Sequence, residues 1–210
     1  MRTRKRVIVQ TLIDFGMQVL FSFLGYDVTV FELIASATSL LGVMLGVTGK
    51  RITWPWWVLS SALYAVLFWQ WDLKASALLQ FVFIAAGIMG WFEWGPKGAV
   101  PAKLSRNELL MWLGITIIGW VSLRPVFESW GAASTWADTF VLVGSIVAQI
   151  LMVLEKYEAW PLWTVVDLVG TVLYASMSLW FTSALYGVFT IVAVVGWREW
   201  LRRANERTHV

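Results

Sequence analysis

Residues 54–94 recur without a gap 106 positions later, as residues 160–200. Thirteen of the 41 aligned positions are identical, among them Trp54/Trp160, Pro55/Pro161, Trp57/Trp163, Gly90/Gly196, Trp91/Trp197, Glu93/Glu199 and Trp94/Trp200. The same offset pairs Glu32 with Asp138, Ser39 with Ser145 and Lys50 with Lys156 upstream. The repeated unit therefore extends beyond the aligned stretch, and its apolar runs predict three helices in each copy.

Those runs set the class of protein. Of 210 residues, 59% are hydrophobic and 14% charged, and the mean hydropathy is +0.71, well outside the balance of a soluble domain. Seven stretches, 31–47, 54–70, 74–94, 108–122, 136–154, 160–178 and 181–200, approach the ~20 residues a helix needs to cross about 30 Å of hydrocarbon. An eighth, 7–24, is interrupted by Gln10, Asp14 and Gln18 and preceded by Arg2, Arg4, Lys5 and Arg6. It either spans or lies in the interface as an amphipathic helix. Its interrupted apolar region and the want of a small-residue cleavage site set it apart from a secretory leader, so it is read as part of the mature chain.

The expected architecture is an all-α integral membrane protein built from two parallel three-helix bundles, residues 29–96 and 131–200. A cytoplasmic loop and linker helix at 97–130 join them, after a basic N-terminus and helix at 1–28, and a basic tail follows at 201–210. One crossing between the copies makes both point the same way, about an axis along the membrane normal. With eight crossings, fourteen basic residues fall on one side and only Lys74 and Arg124 on the other. The positive-inside rule then puts both termini in the cytoplasm. The net charge of +3 is a topology signal and not a nucleic-acid footprint.

Polar residues inside the spans are few, and burying one unpaired in hydrocarbon is costly. Ser60, Ser61, Gln80, Ser145, Gln149, Asp167, Thr182 and Tyr186 are the candidates to face a central path between the halves. The repeat pairs Ser61 with Asp167 and Gln80 with Tyr186, so a site built from them is chemically unequal across the axis. Backbone back-bonding is the competing reading for the serines and Thr182. Asp167 is the one acid well inside a span, and Glu32, Asp138, Glu93 and Glu199 fall near helix ends as interfacial or capping residues. Trp54, Trp94, Trp160 and Trp200 end their spans, where indoles are expected among headgroups. Trp57 and Trp163 lie about 4.5 Å deeper and offer faces for a flat ligand or for ordinary packing.

The chain contains no cysteine and a single histidine, His209, in the tail. Histidine metal sites and Ser-His or Cys-His catalysis are absent from such a sequence, and no Gly-rich phosphate loop with a following lysine appears. Neither an enzyme nor an ATP-driven pump is expected, and no metal or cofactor.

At "TWPWWVLSSALYAVLFW" with "LLQFVFIAAGIMGWFEW", and at "YEAWPLWTVVDLVGTVLY" with "TSALYGVFTIVAVVGWREW", the chain resembles the PnuC family of bacterial vitamin transporters over roughly residues 30 to 200. The resemblance implies a SWEET-like fold of two bundles and a linker helix in the bacterial inner membrane. It implies uptake of nicotinamide riboside, or of thiamine or riboflavin, by facilitated diffusion with trapping by a cytoplasmic kinase, and a homotrimer. It makes Trp160 and Trp163 aromatic ligands and Gln80 a hydrogen-bonding one. The chain departs from the family at "LKASALLQ", which lacks an aspartate before the glutamine, and at "ASMSLWFTSALY", which lacks a lysine. Its asparagines, Asn107 and Asn205, lie outside the spans. The reading from another class is a non-transporting membrane scaffold that binds lipid or partner helices.

Overall fold

The computed structural model describes residues 2–71, 74–129 and 135–208. His209 and the expected boundary at 130/131 lie outside them. Ten elements follow in order: α1 (Arg2–Gly16), β1 (Val19–Phe23), β2 (Tyr26–Thr29), α2 (Val30–Val47), α3 (Thr53–Gln70), α4 (Lys74–Glu93), α5 (Arg106–Ser129), α6 (Thr135–Val153), α7 (Ala159–Ser176) and α8 (Trp180–Thr208). Apart from one short hairpin the elements are helices, and the fold is that of an all-α integral membrane protein. Helices α2–α4 and α6–α8 form the two repeated bundles.

Local chemistry sets the helix ends. The Thr29 hydroxyl accepts from the Glu32 amide at 3.2 Å and caps α2. Ser105 and Glu108 form a reciprocal capping box at the start of α5, at 2.7 and 3.3 Å. Pro55 and Pro161 fall in the first turns of α3 and α7, where the missing N–H costs little. Among the described residues five helices are long and apolar enough to cross a membrane: α2, α4, α5, α6 and α8. The other two bundle members, α3 and α7, are the polar-bearing middle helices, which carry Ser60, Ser61 and Asp167.

The bundles meet along two equivalent seams, α2 on α8 and α4 on α6. Applying the repeat to the first seam gives the second, which is the internal symmetry expressed as packing. The segment between α4 and α5 ties the same ends together. The Ala99 amide donates to the Gly49 carbonyl at 2.8 Å, and the Ala102 amide to the Glu155 carbonyl at 2.9 Å. Gly49 and Glu155 are one repeat apart, and both are left-handed, with φ of 66° and 58°. A glycine adopts that backbone freely, whereas Glu155 is held there, its carboxylate accepting from the Val100 amide at 3.0 Å.

The N-terminal region differs from the continuous 7–24 helix read in the sequence. Helix α1 stops at Gly16, and its 15 residues reach only about 22 Å. The chain then folds back as an antiparallel hairpin, Phe23 opposite Tyr26. Leu24 and Gly25, with φ of 51° and 82°, make a two-residue turn of the type that suits strand twist. Val7, Ile8, Leu12 and Phe15 of α1 are exposed, which fits the interfacial alternative.

Candidate functional site

Four tryptophans close one end of the molecule. Trp54, Trp94, Trp160 and Trp200 are at most 2% exposed, with ring centroids 4.8 Å apart for Trp54 and Trp94, 5.5 Å for Trp94 and Trp200, and 5.7 Å for Trp160 and Trp200. This overturns the expectation of headgroup anchors. Gly90 and Gly196 provide the room: a Cβ on either would stand within 2.5 Å of the indole of Trp54 or Trp160. Edge-on and tilted ring packing, within each bundle and between Trp94 and Trp200 across them, replaces contact with the interface. The Trp94 Nε1 donates to the Met152 carbonyl at 3.1 Å, and the Trp200 Nε1 to the Gly46 carbonyl at 3.1 Å. Both acceptors lie in the last turn of a helix, where carbonyls have no intrahelical partner.

Above this indole layer the polar residues fall in tiers, as follows from the ~1.5 Å rise per residue. Gln149 lies about 5 Å up. Ser61, Ser145 and Asp167 share a level at about 10 Å. Ser36 and Tyr64 follow at about 15 Å, with their hydroxyls 2.9 Å apart. Gln80, Tyr174, Tyr186 and Glu32 stand at about 21 Å. The column crosses between the bundles: Tyr64, Tyr174 and Asp167 all lie within electrostatic reach of Tyr186, and the Tyr174 and Tyr186 rings meet with centroids 4.9 Å apart.

Ser61, Gln80, Ser145, Gln149 and Asp167 are each between 5 and 8% exposed. Among the described residues none of these side chains has a hydrogen-bond partner, yet their polar atoms are not sealed off from a water-sized contact. They do not satisfy one another. Ser60 is different, since its hydroxyl donates to the Ala35 carbonyl at 3.1 Å. That is the structural role, between helices.

The remaining expected residues are spread along the column. Trp160 is in the indole floor. Trp57 is half-buried over Gly42, where a Cβ would collide with its ring. Trp163, also half-buried, has a buried Nε1 with no partner and stands one turn below Asp167 on the same helix face. Thr182 is half-buried at the far mouth, one turn beyond Tyr186.

The sequence reading missed Tyr64, Tyr174 and Ser36, and it placed Glu32 at an interface or cap. Glu32, expected to be interfacial or capping, is instead 3% exposed and accepts a 2.9 Å hydrogen bond from the Tyr26 hydroxyl. Burial and the adjoining Glu32 carboxylate push the Tyr26 phenol well above its ordinary pKa. The signal for Tyr64 was in the repeat. Its counterpart is Gly170, where a Cβ would run into the Tyr186 ring. One half carries its tyrosine on the middle helix and the other on the third, so one ring fills equivalent volume from two directions.

The hairpin covers the far mouth. Phe21 and Phe23 both meet Phe181 edge-on at 6.4 Å. Among the described residues no three His, Asp or Glu side chains are grouped to hold a metal.

PnuC of Escherichia coli K12, a nicotinamide riboside transporter, is 28% identical over 214 residues, covering 87% of this chain and 90% of that one. RibM of Streptomyces davaonensis, a riboflavin and roseoflavin transporter, is 27% identical over 183 residues, covering 83% and 85%. The crystal structure of the vitamin B3 transporter PnuC superposes with a TM-score of 0.69 at 23% identity, covering 82% of this chain and 81% of that one. That superposition agrees with the two-bundle fold. Residues 29–202, which take in both bundles, the linker helix and the whole polar column, match the family described as nicotinamide mononucleotide transporter, and the chain belongs to that family of membrane transporters and is not an enzyme.

Proposed function

We propose that this transporter carries nicotinamide riboside across the bacterial inner membrane through the polar column between its bundles. The observation that carries the reading is the set of buried, unpartnered side chains at Ser61, Gln80, Ser145, Gln149 and Asp167. Such groups are tolerated where a polar ligand completes them. Gln80 and Gln149 each offer a donor and an acceptor to a carboxamide or ribose, and Trp163 offers a face for the base. The name of the Escherichia coli relative, similar over almost its whole length, supports the choice of vitamin.

Transport is facilitated diffusion by alternating access. The bundles rock about the bound ligand, the indole floor opens to the cytoplasm, and phosphorylation there traps the product. Among the described residues there is no buried Lys or Arg to pair with Asp167 as a coupling ion site would use. With α1 not crossing, ten basic residues lie on the tryptophan side and six on the other. The C-terminus is then cytoplasmic and the N-terminus external. The protein works as a homotrimer in the bilayer.

Calorimetry on purified protein tests the substrate. Nicotinamide riboside should bind, and Gln80→Ala and Trp163→Ala should each weaken it. Preference for riboflavin, which the RibM relative favours, or for thiamine replaces the vitamin. Saturable uptake into liposomes separates either from a scaffold. Accumulation of unmodified vitamin against its gradient, collapsed by an uncoupler, would contradict uncoupled transport.

A further inference from the structure

Helices α2 and α8 both begin at the end away from the tryptophans, and the hairpin lies across those two starts. Strand β2 packs on both helices. On α2 the Tyr26 hydroxyl donates to Glu32 at 2.9 Å. On α8 the Phe21 and Phe23 rings each meet Phe181 edge-on, with centroids 6.4 Å apart. The hairpin therefore bridges the first bundle and the second at the far end of the seam of α2 on α8. Tyr26 also lies within electrostatic reach of Tyr64, which puts its ring over the outer tiers of the polar column.

The two attachments are unequal. Thr29 ends β2 and caps α2, so strand and helix are joined without a linker. The Val30 amide donates to the Gln18 carbonyl at 3.0 Å, and Val28 and Thr29 are 0% and 6% exposed. Toward α8 the hairpin offers its rings, and among the described residues no hydrogen bond joins it to that helix. Every residue of β1 is exposed, and a segment with so few buried contacts sits at the low end of local stability. When the bundles separate at this end, the hairpin cannot follow both. Continuity with α2 and the Tyr26 bond carry it with the first bundle, and the edge-on contacts to Phe181, the weaker tie, are the ones that part.

We propose that the hairpin is a latch. It travels with the first bundle, closes the far end of the column while Phe21 and Phe23 rest on Phe181, and opens that end when the two rings lift away with the hairpin as a unit. The latch rests on the transport reading and adds to it the element that controls access from the hairpin side. Residues 19–28 precede the stretch that matches the family, so this control belongs to the chain's own N-terminal region.

Engineered thiols test it, since the chain contains no cysteine of its own. In liposomes, a short, reducible bis-methanethiosulfonate applied to Phe23→Cys/Phe181→Cys ties the hairpin to the second bundle. Uptake of nicotinamide riboside should fall at least about tenfold, as for a locked lid, and return with reductant. Ser22→Cys/Asp27→Cys, at positions that face each other across the strands, staples the hairpin only to itself, and uptake should continue. Full uptake with the hairpin tied to α8, or loss of uptake with the hairpin stapled to itself, overturns the latch while leaving transport in place. Absence of saturable uptake by the wild type overturns the transport reading, and the latch with it. Should the first pair not fold, Phe181→Ala decides the matter by removing the seat of the two rings. Labelling of Ser61→Cys by an impermeant maleimide should then accelerate several-fold from the hairpin side and stay unchanged from the tryptophan side; no acceleration from the hairpin side overturns the latch.

Discussion

Trp94 and Trp200 make the same hydrogen bond in opposite directions across the molecule. Each indole reaches from the third helix of its own bundle to a carbonyl ending the first helix of the other, Met152 or Gly46, and the repeat relates donor to donor and acceptor to acceptor. On the alternating-access proposal, opening the tryptophan end breaks both bonds. Trp200→Phe keeps an aromatic ring but removes one donor, at a cost of about 0.5–1.5 kcal/mol for the lost bond, since the Gly46 carbonyl still accepts from the Gly49 amide. The chain contains no cysteine, so Ser61→Cys is a lone reporter in the column. Labelling of that thiol by an impermeant maleimide from the tryptophan side should accelerate several-fold in the Trp94→Phe or Trp200→Phe background. Unchanged labelling would show that the two bonds do not hold the gate.

Gly90→Ala and Gly196→Ala should both lower thermal stability, by about 1–3 kcal/mol, because a methyl group meets a ring enclosed on every side. Gly114→Ala is the control. Nothing lies within 4 Å of its Cβ position, and in mid-helix the exchange should be neutral or stabilising by up to about 1 kcal/mol. Melting of the three variants in one detergent checks the ranking.

Gln80→Ala and Gln149→Ala remove groups that bond to nothing among the described residues. They should weaken vitamin binding about tenfold or more, a lost hydrogen bond being worth ~1 kcal/mol or above in a dry site, while the melting temperature stays within two or so degrees of wild type. Ser60→Ala should do the reverse. It breaks the bond to Ala35, so it should cost stability and leave affinity nearly intact.

The hairpin should loosen at high pH through Tyr26. Its phenol is raised in the fold by burial and by Glu32, whereas in the unfolded chain it ionises near pH 10. The stability that Tyr26 contributes is therefore full below about pH 10 and is lost as pH rises toward the folded value. Tyr26→Phe forfeits the bond to Glu32 at neutral pH but cannot ionise. The stability difference between wild type and variant should shrink above pH 10, and a difference constant up to pH 11 would remove Tyr26 from the account.

What the sequence made legible was whatever repeats. The constant offset between the copies announced two like units, their three helices each, and the pairing of Ser61 with Asp167. It did not fix which way a side chain turns about its helix. Trp94 and Trp200 could be placed at the ends of their spans, but an indole there serves the interface or the core equally well. The deciding residues were Gly90 and Gly196, one turn before them, small enough to admit another ring. Tyr64 went unnoticed because a tyrosine in an apolar run passes for packing until Ser36 is seen beside its hydroxyl. The 7–24 run misled because apolar content does not distinguish a helix from a short hairpin; the Leu24–Gly25 turn was the overlooked mark.

The strap between α4 and α5 holds Gly49 of one half and Glu155 of the other. Two unlinked copies of such a bundle would have to find each other by diffusion in the bilayer, and the seams between them would need to be strong. Tethering replaces that search with an effective concentration on the order of millimolar for a short connection. The seams α2 on α8 and α4 on α6 are thereby relieved of holding the halves together. They are free to be weak, and a weak seam is one that can slide.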